Sequence, residues 1–244
     1  MKLLLIPIAP LSRTKSRLRD CFSPDQLKEL TIAIFKDLAT KLMNVECFDE
    51  KIVYCNSSKI LEIAEEYNLI GIKEQLQTPR LSFAKVIEEL NDIAIKRFDA
   101  KGTVITFLDL ILISSKNFYD LYTLLEKSKI VVCPATHSSG ISVFCRNPPN
   151  IITSNCFSDP KRPSLISLFN EAKEKNLEVT LYDSFRAGFD VDVKQDLVMA
   201  YQYLKIYNLK NSFTYQFLKK NLKLSLERCN QENNREFTIA EKKV

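Results

Sequence analysis

Six side chains near the ends of apolar runs carry the chemistry of this chain. Arg13, Lys15 and Arg17 fall within one short loop, Ala9-Pro10-Leu11-Ser12-Arg13-Thr14-Lys15-Ser16-Arg17, and Asp109, Asp190 and Asp192 end later extended segments. Three cations on one loop suit a polyphosphate, with arginine giving forked contacts and lysine a point charge. A lone carboxylate at the carboxyl edge of a sheet suits Mg²⁺, which needs few protein ligands when phosphate oxygens and water complete its shell. Asp190 and Asp192 are two apart in an extended segment and so share a face. Either could then be the second ligand, leaving the other to cap the following helix, and a helix cap is also the alternative for Asp109. A solvated surface loop is the alternative for the three cations. The loop has no glycine, which excludes a Walker loop and a dinucleotide fingerprint.

The remaining polar candidates are fewer. Ser139, Gly140 and Ser142, in a loop beside His137, could touch nucleotide or acceptor. Lys161, Arg162 and Ser164 open a helix around Pro163, where the helix terminus favours an anion; a plain surface turn fits them equally well. His137 is the only histidine, so a multi-histidine metal site is excluded and a catalytic role for it is not expected.

Holding these groups at one edge requires strands that all end there. The chain opens with an apolar strand, Lys2 to Ile8, followed by the cationic loop. Ser23-Pro24-Asp25-Gln26 then has a capping serine, a proline at the first helical position and glutamine three residues after the cap, which starts a helix. Leu27, Leu30, Ile34, Leu38 and Leu42 extend it to about residue 44 with one apolar face. Strands at 51–55, 69–72, 103–108 and 129–134 alternate with helices at 59–67, 81–97 and 116–126. Such spacing implies crossover connections and a mostly parallel sheet. The run 140–146 follows its predecessor too closely for a helical crossover and should pair antiparallel. A helix over 163–175, a strand over 178–182, a short extended piece at 188–191 and a helix over 194–207 complete the expected body. The fold class is α/β, a single Rossmann-like three-layer sandwich with a small antiparallel insertion, in which ligands sit beyond the carboxyl ends of the strands.

Composition agrees with one such domain. The chain has 244 residues, 45% of them hydrophobic, enough for one domain of roughly 200 residues and an extension. We divide it into a body at 1–208 and a basic extension at 209–244, with Phe217, Leu218, Leu222 and Leu226 on a further helix. The formal net charge is +5. Eight Lys or Arg against four Glu from Lys210 onward place most of it in the extension. A near-neutral body argues against a nucleic-acid-coating surface. Seven cysteines without a CxxC pair read as reduced thiols, and no run approaches a membrane span. The expected setting is the cytoplasm, and a homodimer is the expected assembly.

The segments Ile6-Pro7-Ile8-x-Pro10-Leu11, Lys15-Ser16-Arg17-Leu18 and Ser23-Pro24 resemble the 2-phospho-L-lactate guanylyltransferase family of coenzyme F-420 biosynthesis. So do Asp109-Leu110-x-Leu112, Arg146-x-Pro148-Pro149 and Asp190-Val191-Asp192 with Asp196-Leu197. The likeness runs in order over about residues 1–206. It implies the fold of nucleotide-diphospho-sugar transferases and a Mg²⁺-dependent transfer of a nucleotidyl group from GTP. The implied acceptor is a small phosphorylated carboxylic acid, 2-phospho-L-lactate or phosphoenolpyruvate, with release of pyrophosphate. Asp109 with Asp190 or Asp192 would be the metal ligands, and Lys15, Arg13 and Arg17 the groups facing the leaving pyrophosphate. The chain departs from the family at Ala9, Phe107, Ile111, Gly140-Ile141-Ser142 and Arg80-Leu81-Ser82. These departures keep a second reading open, a catalytically impaired member that binds nucleotide or regulates.

Overall fold

The structure, a computed structural model, describes residues 1–229 and 237–241. In chain order the elements are β1 (Lys2–Ile8), α1 (Pro24–Met43), β2 (Glu50–Cys55), α2 (Ser58–Glu66), β3 (Ile70–Lys73), α3 (Phe83–Phe98) and β4 (Gly102–Thr106). There follow α4 (Ser115–Lys127), β5 (Ile130–Pro134), β6 (Ile141–Arg146), α5 (Ser164–Glu174), β7 (Thr180–Leu181), α6 (Phe185–Gly188), α7 (Lys194–Ile206), α8 (Phe213–Asn221), β8 (Leu224–Arg228) and β9 (Phe237–Glu241).

The main sheet has seven strands in the order β3-β2-β1-β4-β6-β5-β7. Every pairing in it is parallel except those of β6, which runs antiparallel to both β4 and β5. The expected antiparallel insertion is therefore one strand wedged into an otherwise parallel sheet. A separate antiparallel pair, β8 with β9, stands after the body.

Side-chain alternation along the strands makes the layers. Leu4, Ile6 and Ile8 of β1 face α1, α2 and α4 in one core. Leu3 and Leu5 face α3 and α5 on the other side of the sheet. A third apolar cluster joins the first half of α1 to α7 and α8 through Leu27, Leu30, Phe189, Leu197, Tyr215 and Leu218. The α1 start is as expected: Ser23 accepts from Gln26 N, and the Gln26 side chain returns to Ser23 N at 3.0 Å.

Three expectations need correction. The strand before Asp109, expected to reach residue 108, ends at Thr106, so Asp109 lies in the turn beyond it. The piece expected to be extended from residue 188 begins as the last residue of the short helix α6, and Asp190 and Asp192 follow it in unpaired backbone. The helix expected to reach Leu226 stops at Asn221, because Leu224–Arg228 pairs as a strand. Part of the basic extension, 230–236 and 242–244, lies outside the described residues. Among the described residues no helix is long and apolar enough to cross a membrane. All seven cysteines are free, and Cys55, Cys133, Cys145 and Cys156 are buried.

Candidate active site

Strands β1, β4 and β5 end at the same edge, and their following loops enclose a cavity of about 850 Å³. Its walls include Arg13, Thr14, Lys15 and Arg17 from the loop after β1, Asp109 from the turn after β4, and Asp190 and Asp192 from the segment before α7. Ser138, Ser139, Gly140 and Ser164 also line it. Six groups spread over 180 residues of sequence therefore share one hollow, of a size that holds a small-molecule ligand of roughly 300–1,000 Å³.

The cationic loop is folded tightly. Arg13 N donates to Pro10 O at 2.8 Å and Leu18 N to Lys15 O at 2.9 Å, and the Thr14 hydroxyl meets that of Thr31 on α1 at 2.9 Å. Lys15 adopts a left-handed backbone, φ 48° and ψ 38°, a conformation that costs a side-chain-bearing residue on the order of 1–3 kcal/mol. That turn sends its ammonium inward: Lys15 Nζ donates to Val191 O at 2.8 Å and lies 4.0 Å from Asp109 Oδ2. Lys15 thus ties the loop after β1 to both acidic segments. Arg17 instead reaches outward to Asp192 Oδ2 at 2.7 Å, with both partners well exposed. An exposed ion pair is worth about 0–1 kcal/mol, so an incoming phosphate can displace Asp192 from Arg17.

The turn carrying Asp109 is held by its carbonyls. Lys41 Nζ donates to Ile111 O at 3.1 Å, Arg186 Nε to Leu112 O at 2.8 Å, and Val191 N to Asp109 O at 3.2 Å. Burial pushes the Lys41 ammonium down to about 8. Sequence reading missed both clamps, because long-range bonds from side chains to carbonyls leave no local pattern. Asp109 Oδ1 is buried with no hydrogen-bond partner, and burial raises its carboxyl despite the nearby Lys15. Asp190 is pushed up to about 6, first by burial and then by the charge of Asp109.

An orphaned buried oxygen beside a second raised carboxyl could receive a cation. Among the described residues no group of three or more His, Cys, Asp or Glu could by itself hold a metal ion. The donor set therefore fits a hard cation that keeps water and substrate oxygens, such as Mg²⁺. Asp109 and Asp190 would supply the protein oxygens, while Asp192 is engaged by Arg17.

Other expected residues are placed differently. Neither Asp190 nor Asp192 caps α7. Asp196 Oδ2 does so, accepting from Asp192 N and Val193 N, each at 3.0 Å, while its Oδ1 meets His137 Nδ1 at 2.9 Å. His137 also packs edge-on against Phe189, so it is a support for the acidic segment. Ser142 is 2% exposed and donates to Gly188 O at 3.3 Å. It thus anchors the residues before Asp190 and does not line the cavity. Gly188 packs so closely that a Cβ there would lie 2.5 Å from Pro134 O. Lys161 and Arg162 are exposed and outside the cavity walls. Ser139 lies on the wall, and its carbonyl accepts from Leu165 N at 3.1 Å.

A wall of phenyl rings was also missed. Phe83, Phe107 and Phe157 all line the cavity, with centroids 5.4–5.6 Å apart. They come from α3, the turn after β4 and a turn before α5, and only the fold brings them together.

Comparison with known proteins shows the family and the fold. A family model described as "Guanylyl transferase CofC like" matches residues 1–240. The 2-phospho-L-lactate guanylyltransferase of Methanocaldococcus vulcanius is 26% identical over 198 residues, covering 80% of this chain and 82% of that protein. The protein so named from Methanothermobacter thermautotrophicus is 27% identical over 193 residues, 79% of this chain and 81% of its own. Among solved structures, a putative nucleotide-diphospho-sugar transferase from Desulfovibrio desulfuricans superposes with a TM-score of 0.71 at 16% identity, covering 90% of this chain and 94% of that one. A 4-diphosphocytidyl-2C-methyl-D-erythritol synthase from Anaerococcus prevotii gives 0.61 at 12% identity, covering 84% and 96%. The fold is that of the nucleotide-diphospho-sugar transferases, and the chain belongs to the CofC-like guanylyl transferase family.

Proposed function

We propose that this protein transfers a guanylyl group from GTP to the phosphate of a small phosphorylated carboxylic acid, 2-phospho-L-lactate or phosphoenolpyruvate, releasing pyrophosphate. The observation that carries the reading is the single cavity in which Arg13, Lys15 and Arg17 face Asp109 and Asp190. In the reaction an acceptor phosphate oxygen bonds to the α-phosphorus while the bond from that phosphorus to the bridging oxygen of the pyrophosphate breaks. No protein nucleophile is required, and the barrier falls through positioning and charge neutralisation.

Arg13 and Arg17 neutralise the phosphate chain, Arg17 by exchanging its exposed partner Asp192 for phosphate. Lys15 keeps the acidic segment against the loop after β1, so that cations and carboxylates stay at fixed separation. Mg²⁺, when held by Asp109 and Asp190, supplies charge neutralisation on the phosphate oxygens. The phenyl rings give the same cavity an apolar wall, which lowers the local dielectric and strengthens the action of the charged groups. Ser139 and Ser164 offer hydroxyls to the acceptor, and the seven free cysteines suit the reducing interior of a cell.

The test is a screen of the four nucleoside triphosphates against 2-phospho-L-lactate, phosphoenolpyruvate and 3-phosphoglycerate for pyrophosphate release with Mg²⁺. GTP with one of the phospho-acids should give turnover. Tight GTP binding without pyrophosphate release from any pair would favour the impaired, nucleotide-binding reading and overturn this one.

A further inference from the structure

Beside the main cavity lies a smaller hollow of about 260 Å³ that shares Pro7, Ile8, Ala9 and Phe83 with it. Its walls are mostly apolar, Leu81 and Val86 among them, and two polar side chains enter it, Glu74 and Arg80. Glu74 follows β3 directly and its backbone is fixed. Its N–H donates to Cys55 O at 2.8 Å, and its carbonyl accepts from Asn56 Nδ2 at 2.9 Å. The residue is 5% exposed, yet among the described residues its carboxylate has no hydrogen-bond or ion-pair partner, Arg80 acting on it only from farther away. Burial raises its carboxyl above the ordinary range.

The carboxylate oxygens are not enclosed; Glu74 lines a hollow shared in part with the phosphate-binding loop, where a ligand that displaces water must replace the lost hydrogen bonds. A ligand that fits the hollow offers N–H donors to the carboxylate and an apolar body to Leu81, Phe83 and Val86. Among the four nucleobases, guanine alone presents two adjacent donors, N1–H and the 2-amino group, on one edge. Adenine and cytosine each place a ring-nitrogen acceptor beside their amino group, and uracil flanks its one N–H with carbonyls. A carboxylate attracts the first pattern and repels the acceptors of the others.

We propose that Glu74 is the specificity-determining residue that reads the guanine edge, accepting N1–H and the 2-amino group in the hollow between β1 and α3. The inference rests on the guanylyl-transfer reading and assigns its base preference to one side chain.

Calorimetric titration of the full chain with GTP, ITP, XTP and ATP in the presence of Mg²⁺ tests it, with Glu74→Gln as the variant. Wild type should bind ITP, which lacks the 2-amino group, about 10-fold more weakly than GTP, and ATP about 100-fold more weakly. Glu74→Gln should lose about 10- to 100-fold in GTP affinity. It should also gain affinity for XTP, because the carboxamide keeps an acceptor for N1–H and adds a donor for the C2 carbonyl. A gain cannot come from misfolding. An unchanged ratio of GTP to both ATP and XTP in the variant would overturn the assignment while leaving guanylyl transfer standing. If the wild-type chain bound no nucleoside triphosphate at all, the functional reading would fail first and this inference with it.

Discussion

At Asp109 the two carboxylate oxygens meet different surroundings: Oδ1 is buried and unpartnered, and Oδ2 faces the Lys15 ammonium at 4.0 Å. Asp190, beside it, holds its proton up to about pH 6 because burial and the charge of Asp109 disfavour ionisation. The sign follows from linkage. The folded state binds this proton more tightly than the unfolded state, so ionisation of Asp190 lowers stability above pH 6, and protonation restores it as pH falls from about 6 toward 4. A divalent ion must displace the same proton. The Mg²⁺ concentration needed for half-maximal activity should therefore rise as pH drops below about 6. Asp190→Asn should abolish that dependence together with turnover, while raising the metal-free protein's stability at pH 7 by on the order of 1 kcal/mol. Activity titrated with Mg²⁺ between pH 5 and 8, beside urea unfolding of both proteins, reads both effects; a variant that stays active would remove Asp190 from the metal site. Asp109 could be singled out because it follows an apolar run, Lys15 because it lies in the cationic loop after the first strand, and Asp190 because it alternates with Asp192 after Gly188. The pairing of Arg17 with Asp192 could not, since the sequence says nothing of which cation turns outward.

Among the elements, α7 shows how a cap serves a site. Asp196 satisfies the backbone N–H groups of Asp192 and Val193 and steadies His137, so one buried carboxylate fixes the turn that carries Asp190. Asp196→Ala should cost about 1–2 kcal/mol of stability in urea unfolding. It should also weaken Mg²⁺-GTP binding by calorimetry, whereas Asp196→Asn, which keeps an acceptor for the cap, should recover most of the stability. Equal loss in both would mean that charge and not capping is at work. Helices α1 to α5 and α7 could be read to within two residues at either end because their caps and apolar spacing are local. The acidic segment could not: α6 breaks it, and Gly188 is required there by the close approach to Pro134 O, a contact between parts of the chain more than fifty residues apart. Ser142 misled for the same reason, its neighbours suggesting a loop while β6 carries it into the sheet.

Over the whole molecule the order of strands was hidden while their type was plain, because periodicity reports burial and not neighbours. The antiparallel pairing of β6 with β5 follows from their short connection, which forbids a crossover, while its insertion beside β4 is seen only in the fold. The extension was the least legible part. Helix α8 buries Tyr215, Phe217, Leu218 and Leu222 against α1 and α7, and Asp37 of α1 accepts from Phe213 N and Thr214 N, each at 2.8 Å. Ending the chain at Asn208 should therefore remove roughly 6–10 kcal/mol of apolar burial, as much as many domains possess. The truncated protein should be unfolded or insoluble; a soluble one with an unchanged melting temperature would show the extension to be dispensable. The central claim is that the two acidic segments and the cationic loop act on one metal–nucleotide complex. Its most direct test is a crystal grown with GTP and Mn²⁺, examined for the anomalous signal of the ion. The account predicts one peak within coordinating distance of Asp109 and Asp190, with triphosphate oxygens on the ion and on Arg13 and Arg17; a nucleotide seated elsewhere, or an ion touching neither carboxylate, would contradict it.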